Sequence, residues 1–107
     1  MNFRQLFAEL AIRPRMFLLD DRYLTLVAFV EGCNAATDWQ LLDGFGNWVS
    51  MRILGTDSSL HWSTVVASRR SPELLNEPRS GPIPSEVEAG AAKDLLEFLD
   101  EFLGTNS

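Results

Sequence analysis

The sequence holds one cysteine and one histidine, and these two scarcities exclude more than any motif in it. Cys33 stands alone, so no intrachain disulfide can form. Its apolar neighbours Val30, Ala35 and Ala36 point to a buried thiol in a reducing compartment. Hydrolytic or group-transfer chemistry needs a nucleophile beside a base, two carboxylates in contrasting environments, or several ligands around a metal. His61 has no second candidate ligand close by in the sequence and reads as a structural or solvated residue. Gly44-Phe45-Gly46 lacks the third glycine and the helix start of a dinucleotide fingerprint. No catalytic residue, no cofactor and no metal site is therefore expected. Long apolar runs are missing too: none approaches the roughly 20 residues of a membrane span, and Met1 to Gln5 has nothing of a signal peptide. The expectation is a cytoplasmic protein that is not an enzyme.

What is present is enough apolar material for one core. The 107 residues are 46% hydrophobic, with three Trp and seven Phe, too apolar for a disordered chain, and residues 1–107 read as a single domain. The net charge of −6 is unevenly placed. Residues 1–79 carry eight Arg against nine Asp and Glu, net −1, whereas residues 80–107 set Lys93 against six acids, net −5. That surface repels phosphate backbones, and its natural counterpart is a basic protein.

The periodicity predicts an all-α bundle of four to five helices at about 2–12, 21–36, 38–54, 60–69 and 85–103. Phe3, Leu6, Phe7, Leu10 and Ala11 give the first its apolar face, with Asn2 as cap and Pro14 as stop. The connector from Arg13 to Leu19 is expected to tuck its apolar residues under the bundle. In the second helix, Thr25 to Val30 would also suit a strand, but fifteen residues without a turn signal favour a helix, with Gly32 allowing close packing. Leu42, Phe45, Val49 and Ile53 carry one stripe through the glycines of the third; a short hairpin within 44–67 is the α+β alternative. Four prolines mark 70–84 as a surface linker. The last helix has Ser85 and Glu88 as a capping box and Gly104 as its stop.

A Pro-x-Met-aromatic-Leu connector at Pro14 to Leu18 is followed by the helix Tyr23-Leu24-Thr25-Leu26-Val27-Ala28-Phe29-Val30-Glu31-Gly32. After these come Gly44-Phe45-Gly46-Asn47-Trp48-Val49 and the acidic end Leu95-Leu96-Glu97-Phe98-Leu99-Asp100-Glu101-Phe102. Over residues 13–103 this order resembles small bacterial proteins of the immunity type, which neutralise polymorphic or contact-dependent growth inhibition toxins. The chain departs from that pattern at Arg15, at Phe17 and in the Pro-rich insertion 78–84. The resemblance implies a cognate toxin domain as partner and carries over no binding residues; the chain itself is expected to be a monomer.

Anions are unfavourable in the last turn of a helix, yet Asp100 and Glu101 stand there, and places where a local rule fails are candidates for function. The expected partner-binding residues are Asp94, Glu97, Asp100 and Glu101, with Glu86 and Glu88 at the margin and Trp39 as an aromatic anchor. The partner would be a basic, nuclease-like toxin domain. A self-associating interaction module is the alternative.

Overall fold

Five segments with apolar residues at three- and four-residue spacing fold as five α-helices in the computed structural model, which describes residues 1–76 and 83–105. They are α1 (Phe3–Ile12), α2 (Tyr23–Ala36), α3 (Phe45–Leu54), α4 (Trp62–Ser68) and α5 (Ser85–Thr105), with single 3₁₀ turns at Pro14–Met16 and Pro72–Leu75. Among the described residues there is no strand, so the 44–67 hairpin does not form and Thr25 to Val30 is helical. None of the described helices is long and apolar enough to cross a membrane.

α5 is the element on which the others pack. Its Ala91, Leu95 and Leu99 are fully buried, against Tyr23 and Val30 of α2, Phe45 and Val49 of α3, and Val65 and Val66 of α4 in one apolar cluster. Phe45 is the centre of an aromatic group, with ring centroids 5.2 Å from Phe102, 5.6 Å from Trp62 and 6.0 Å from Trp48. The Phe102 and Trp62 rings meet Phe45 edge to face and Trp48 stacks on it, and such pairs add to the free energy of their burial. Cys33 is half-buried, and burial pushes its thiol up from its ordinary pKa.

Polar contacts fix the directions of the helices. Asn2 caps α1, its Oδ1 accepting from the Gln5 N–H at 3.0 Å. α2 has no side-chain cap of its own, and α5 supplies one: Glu88 Oε1 accepts the Tyr23 N–H and Arg22 Nε, each at 3.0 Å. A carboxylate there satisfies a free N–H and complements the helix dipole. Glu88 is thus turned away from Ser85, which is itself the first helical residue, and the expected capping box is not made. The Tyr23 hydroxyl donates to the Ser63 carbonyl at 2.7 Å and ties α2 to α4. Burial, with the charge of Asp94 adding to it, holds that phenol far above its usual pKa.

The expected helix 38–54 begins seven residues late. After α2 the chain turns through 37–44, with Asp38 at φ 56° and Trp39 at φ 64°, and Gly44 at φ 83° leads into α3. Left-handed geometry costs an ordinary residue about 1–2 kcal/mol, so the turn must be held from outside. Asn34 holds it: its backbone carbonyl accepts from the Trp39 N–H at 2.8 Å and its Oδ1 from the Leu42 N–H at 3.0 Å. The apolar stripe survives because Leu42 is buried beside Phe45 even though the backbone between them is not helical.

Two further expectations are corrected. The helix continues past Gly104 to Thr105. Met16 and Leu19 of the connector are 70% and 95% exposed, and only Phe17 and Leu18 turn inward. Of the linker 70–84, Ser71 to Leu75 pack with a buried Ser71 and Leu74, whereas most of the insertion 78–84 lies outside the described residues.

The glycines separate by what lies over them. A Cβ on Gly32 would meet nothing within 4 Å, so close packing is not its reason, while one on Gly90 would stand 3.0 Å from the Arg70 guanidinium. Alanine is favoured over glycine in a helix interior by about 1 kcal/mol. Gly32→Ala is expected to raise the unfolding free energy by about that amount. Gly90→Ala should lower it, because Arg70 is held in place by Asp94. Equal gains from both in chemical denaturation would show that the Arg70 seat does not matter.

Candidate partner-binding site

The outer side of α5 was expected to carry the binding carboxylates, and the structure divides them. Asp94 is buried, its side chain 1% exposed, and accepts Arg70 Nε at 2.8 Å, Arg70 Nη2 at 2.9 Å and Arg69 Nη1 at 3.0 Å. Asp94 is therefore not a surface contact; the two arginines that follow α4 clamp it. Hydrogen bonding from Arg70 outweighs burial, and with Arg69 it holds the Asp94 carboxyl below the usual carboxylate range. Glu88 is likewise buried, as the cap of α2. Asp100 is exposed but accepts Arg4 Nε at 2.8 Å, which lowers its pKa, and Glu101 pairs with Arg52. Arg52 also lies over the Trp48 ring, 4.9 Å from its centroid.

Glu86 and Glu97 remain exposed, and neither has a basic side chain within ion-pair distance among the described residues. Hydrogen bonding and charge from Asp94 raise the pKa of the Arg70 guanidinium, and the charge of Glu97 adds to them. Trp39 is 63% exposed at the far end of α2, on the left-handed turn, and does not join the α5 acids.

Glu97 and Asp100 do come together, on the lip of an open groove of about 990 Å³ between α1, the connector, the start of α2 and α5. Ala8 and Ala11 of α1 face Ala89, Ala92 and Leu96 of α5 across it. Asp20, Asp21 and Arg22 stand at the start of α2, and Lys93 rises from α5. Reading the sequence helix by helix missed this groove, because it exists only where two helices leave small residues opposite each other. The alanine pairs at 8/11 and 89/92, three apart on their own helices, were the signal.

His61 has a structural task. Its Nδ1 accepts the Ser63 N–H at 3.1 Å, capping α4, with Ser63 Oγ at 2.7 Å; its Nε2 faces Glu31 Oε2 at 3.1 Å. Since Nδ1 accepts from a backbone donor, the ring proton belongs on Nε2 and is given to Glu31. Among the described residues no group of three His, Cys, Asp or Glu side chains could hold a metal ion. No family model, curated protein or solved structure matches the chain.

The division of carboxylates is measurable. Asp94→Asn leaves two arginines facing a neutral amide in a buried position and is expected to cost on the order of 2–3 kcal/mol of unfolding free energy. Glu97→Gln should change it by no more than about 0.5 kcal/mol. A carboxyl with a lowered folded-state pKa stabilises above its unfolded pKa, and that stabilisation is lost as pH falls through the folded value. The wild-type protein should therefore lose stability on acidification below about pH 4. Asp94→Asn, already weaker at neutral pH, should lose less over the same interval. Parallel pH profiles would mean the clamp contributes nothing.

Proposed function

We propose that the chain is an immunity protein, which acts in the cytoplasm by binding and neutralising a cognate toxin domain and performs no catalysis of its own. The observation that carries this reading is Glu97, an exposed carboxylate without an ion pair, at the edge of an open apolar groove on the most acidic helix of the chain. An apolar surface with a charged lip is suited to a protein partner. Acid on that lip favours a basic one, such as a nuclease domain whose substrate site is cationic, and speeds encounter by electrostatic steering. The sequence resemblance over residues 13–103 supports the same class. Glu86 and Glu97 are the contact acids of this reading, with Asp100 and Glu101 available only in exchange for Arg4 and Arg52.

The exposed Ile12, Met16 and Leu19, close together in sequence, favour a second reading as a self-associating module. Light scattering separates the two, since a concentration-independent monomer removes self-association.

Co-expression with the product of the adjacent upstream gene should rescue growth if that gene encodes the toxin. The doubly reversed Glu86→Lys, Glu97→Lys protein should bind that toxin roughly tenfold more weakly at low salt, mainly through a slower association rate, and with a shallower salt dependence. Unchanged affinity and salt dependence would place the contact elsewhere, and absence of rescue would remove the toxin.

A further inference from the structure

On the reading that the chain binds a protein, we propose that the groove between α1 and α5 is the seat for an amphipathic helix of the partner, one with large apolar residues on one side and Lys or Arg along both flanks. Its α5 wall is formed by residues 89, 92, 93, 96, 97 and 100. These spacings of three, four, seven, eight and eleven lie on one face of a helix and, at about 1.5 Å per residue, run for roughly 16 Å, or three turns. The opposite wall is α1, and the two helices run antiparallel, because Arg4 at the start of α1 pairs with Asp100 near the end of α5. A trough three turns long between two antiparallel helices has the shape that receives a third.

The alanines make room for it. Ala8 and Ala11 on one side and Ala89 on the other are exposed. Side chains of Leu or Phe size could therefore reach the Leu96 and Leu18 surfaces behind them. The charges set the flanks. Asp20 and Asp21 stand at the end where Arg22 meets Glu88, and Glu97 and Asp100 stand toward the other end. Asp21 pairs with Arg15 and Asp100 with Arg4, as Arg22 does with Glu88, so Asp20 at one end and Glu97 at the other, against Lys93, leave the lining net negative. A basic helix meets acid at both ends of the trough, and an acidic one is repelled.

The test uses the full chain and an 18-residue helical peptide with Leu at i, i+3, i+4 and i+7 and Lys on its flanks, beside a twin carrying Glu in place of Lys. The Lys peptide should bind, shift the amide resonances of Ala8, Ala11, Ala89 and Ala92, and weaken as salt is raised; the Glu twin should bind at least tenfold more weakly. Ala8→Trp and Ala89→Trp, which fill the trough from opposite walls and leave every charge in place, should each weaken the Lys peptide at least tenfold. The unfolding midpoint of each shows whether it is folded, and resonance mapping on the wild type requires neither. Shifts confined to another face, equal affinity for the two peptides, or no effect of a folded Trp variant would overturn the proposal. An alkyl trimethylammonium amphiphile that displaces nothing while the Lys peptide binds supports a helix; an amphiphile that binds where the peptide does not makes the groove a lipid site. Because the probe is not the toxin, failure here leaves neutralisation standing, and a failed growth rescue leaves the peptide result standing.

Discussion

A single buried carboxylate, Asp94, sets how α4 and α5 meet. Transferring that charge from water into the helix interface is unfavourable unless it is matched, and Arg69 and Arg70 match it with three hydrogen bonds of 2.8 to 3.0 Å. The arginines must then leave α4 in a fixed direction, which places the Arg70 guanidinium on the bare backbone of Gly90, one turn before Asp94. Sequence choices at 69, 70, 90 and 94 are therefore one choice. The charge of Asp94 also reaches Tyr23, whose hydroxyl joins α2 to α4, so three helices converge on this point.

The same economy governs the rest of α5. Its acids are not a uniform coat: Glu88 caps α2, Asp94 joins α4, Asp100 holds Arg4 of α1 and Glu101 holds Arg52 of α3. The end of α5 repeats the device seen at Gly90, since a Cβ on Gly104 would stand 2.8 Å from the Arg4 guanidinium. Asp100 and Glu101 sit where the helix dipole disfavours them, and their arginine partners offset that cost. The broken rule at the helix end is thus answered largely inside the molecule. The surplus that faces outward narrows to Glu86 and Glu97.

Much of the fold was legible because α1 and α5 keep their apolar residues on one face, and length alone separated α2 from a strand. The start of α3 was not, because Leu42 continues the buried stripe while the backbone at Asp38, Trp39 and Gly44 is left-handed; periodicity records burial and not the path of the chain. Glu88 and Ser85 have capping-box spacing, but the α2 N-terminus competes for the same carboxylate. Asp94 was read as a surface acid by residue type, although it lies three and seven residues from the buried Ala91 and Val87 and next to Leu95. Its position, together with the paired arginines at 69 and 70, carried the information that its charge obscured. The groove was invisible for a different reason, since it belongs to two helices distant in the chain.

The central claim is that the acidity of α5 is first an internal matter, with Asp94 and its arginines acting as a unit. A double-mutant cycle over Asp94→Asn and Arg70→Met, read by chemical denaturation, tests it most directly. If the pair is coupled, removing Arg70 from the Asp94→Asn protein will cost little more than Asp94→Asn alone. If the two losses simply add, the clamp is not what joins α4 to α5.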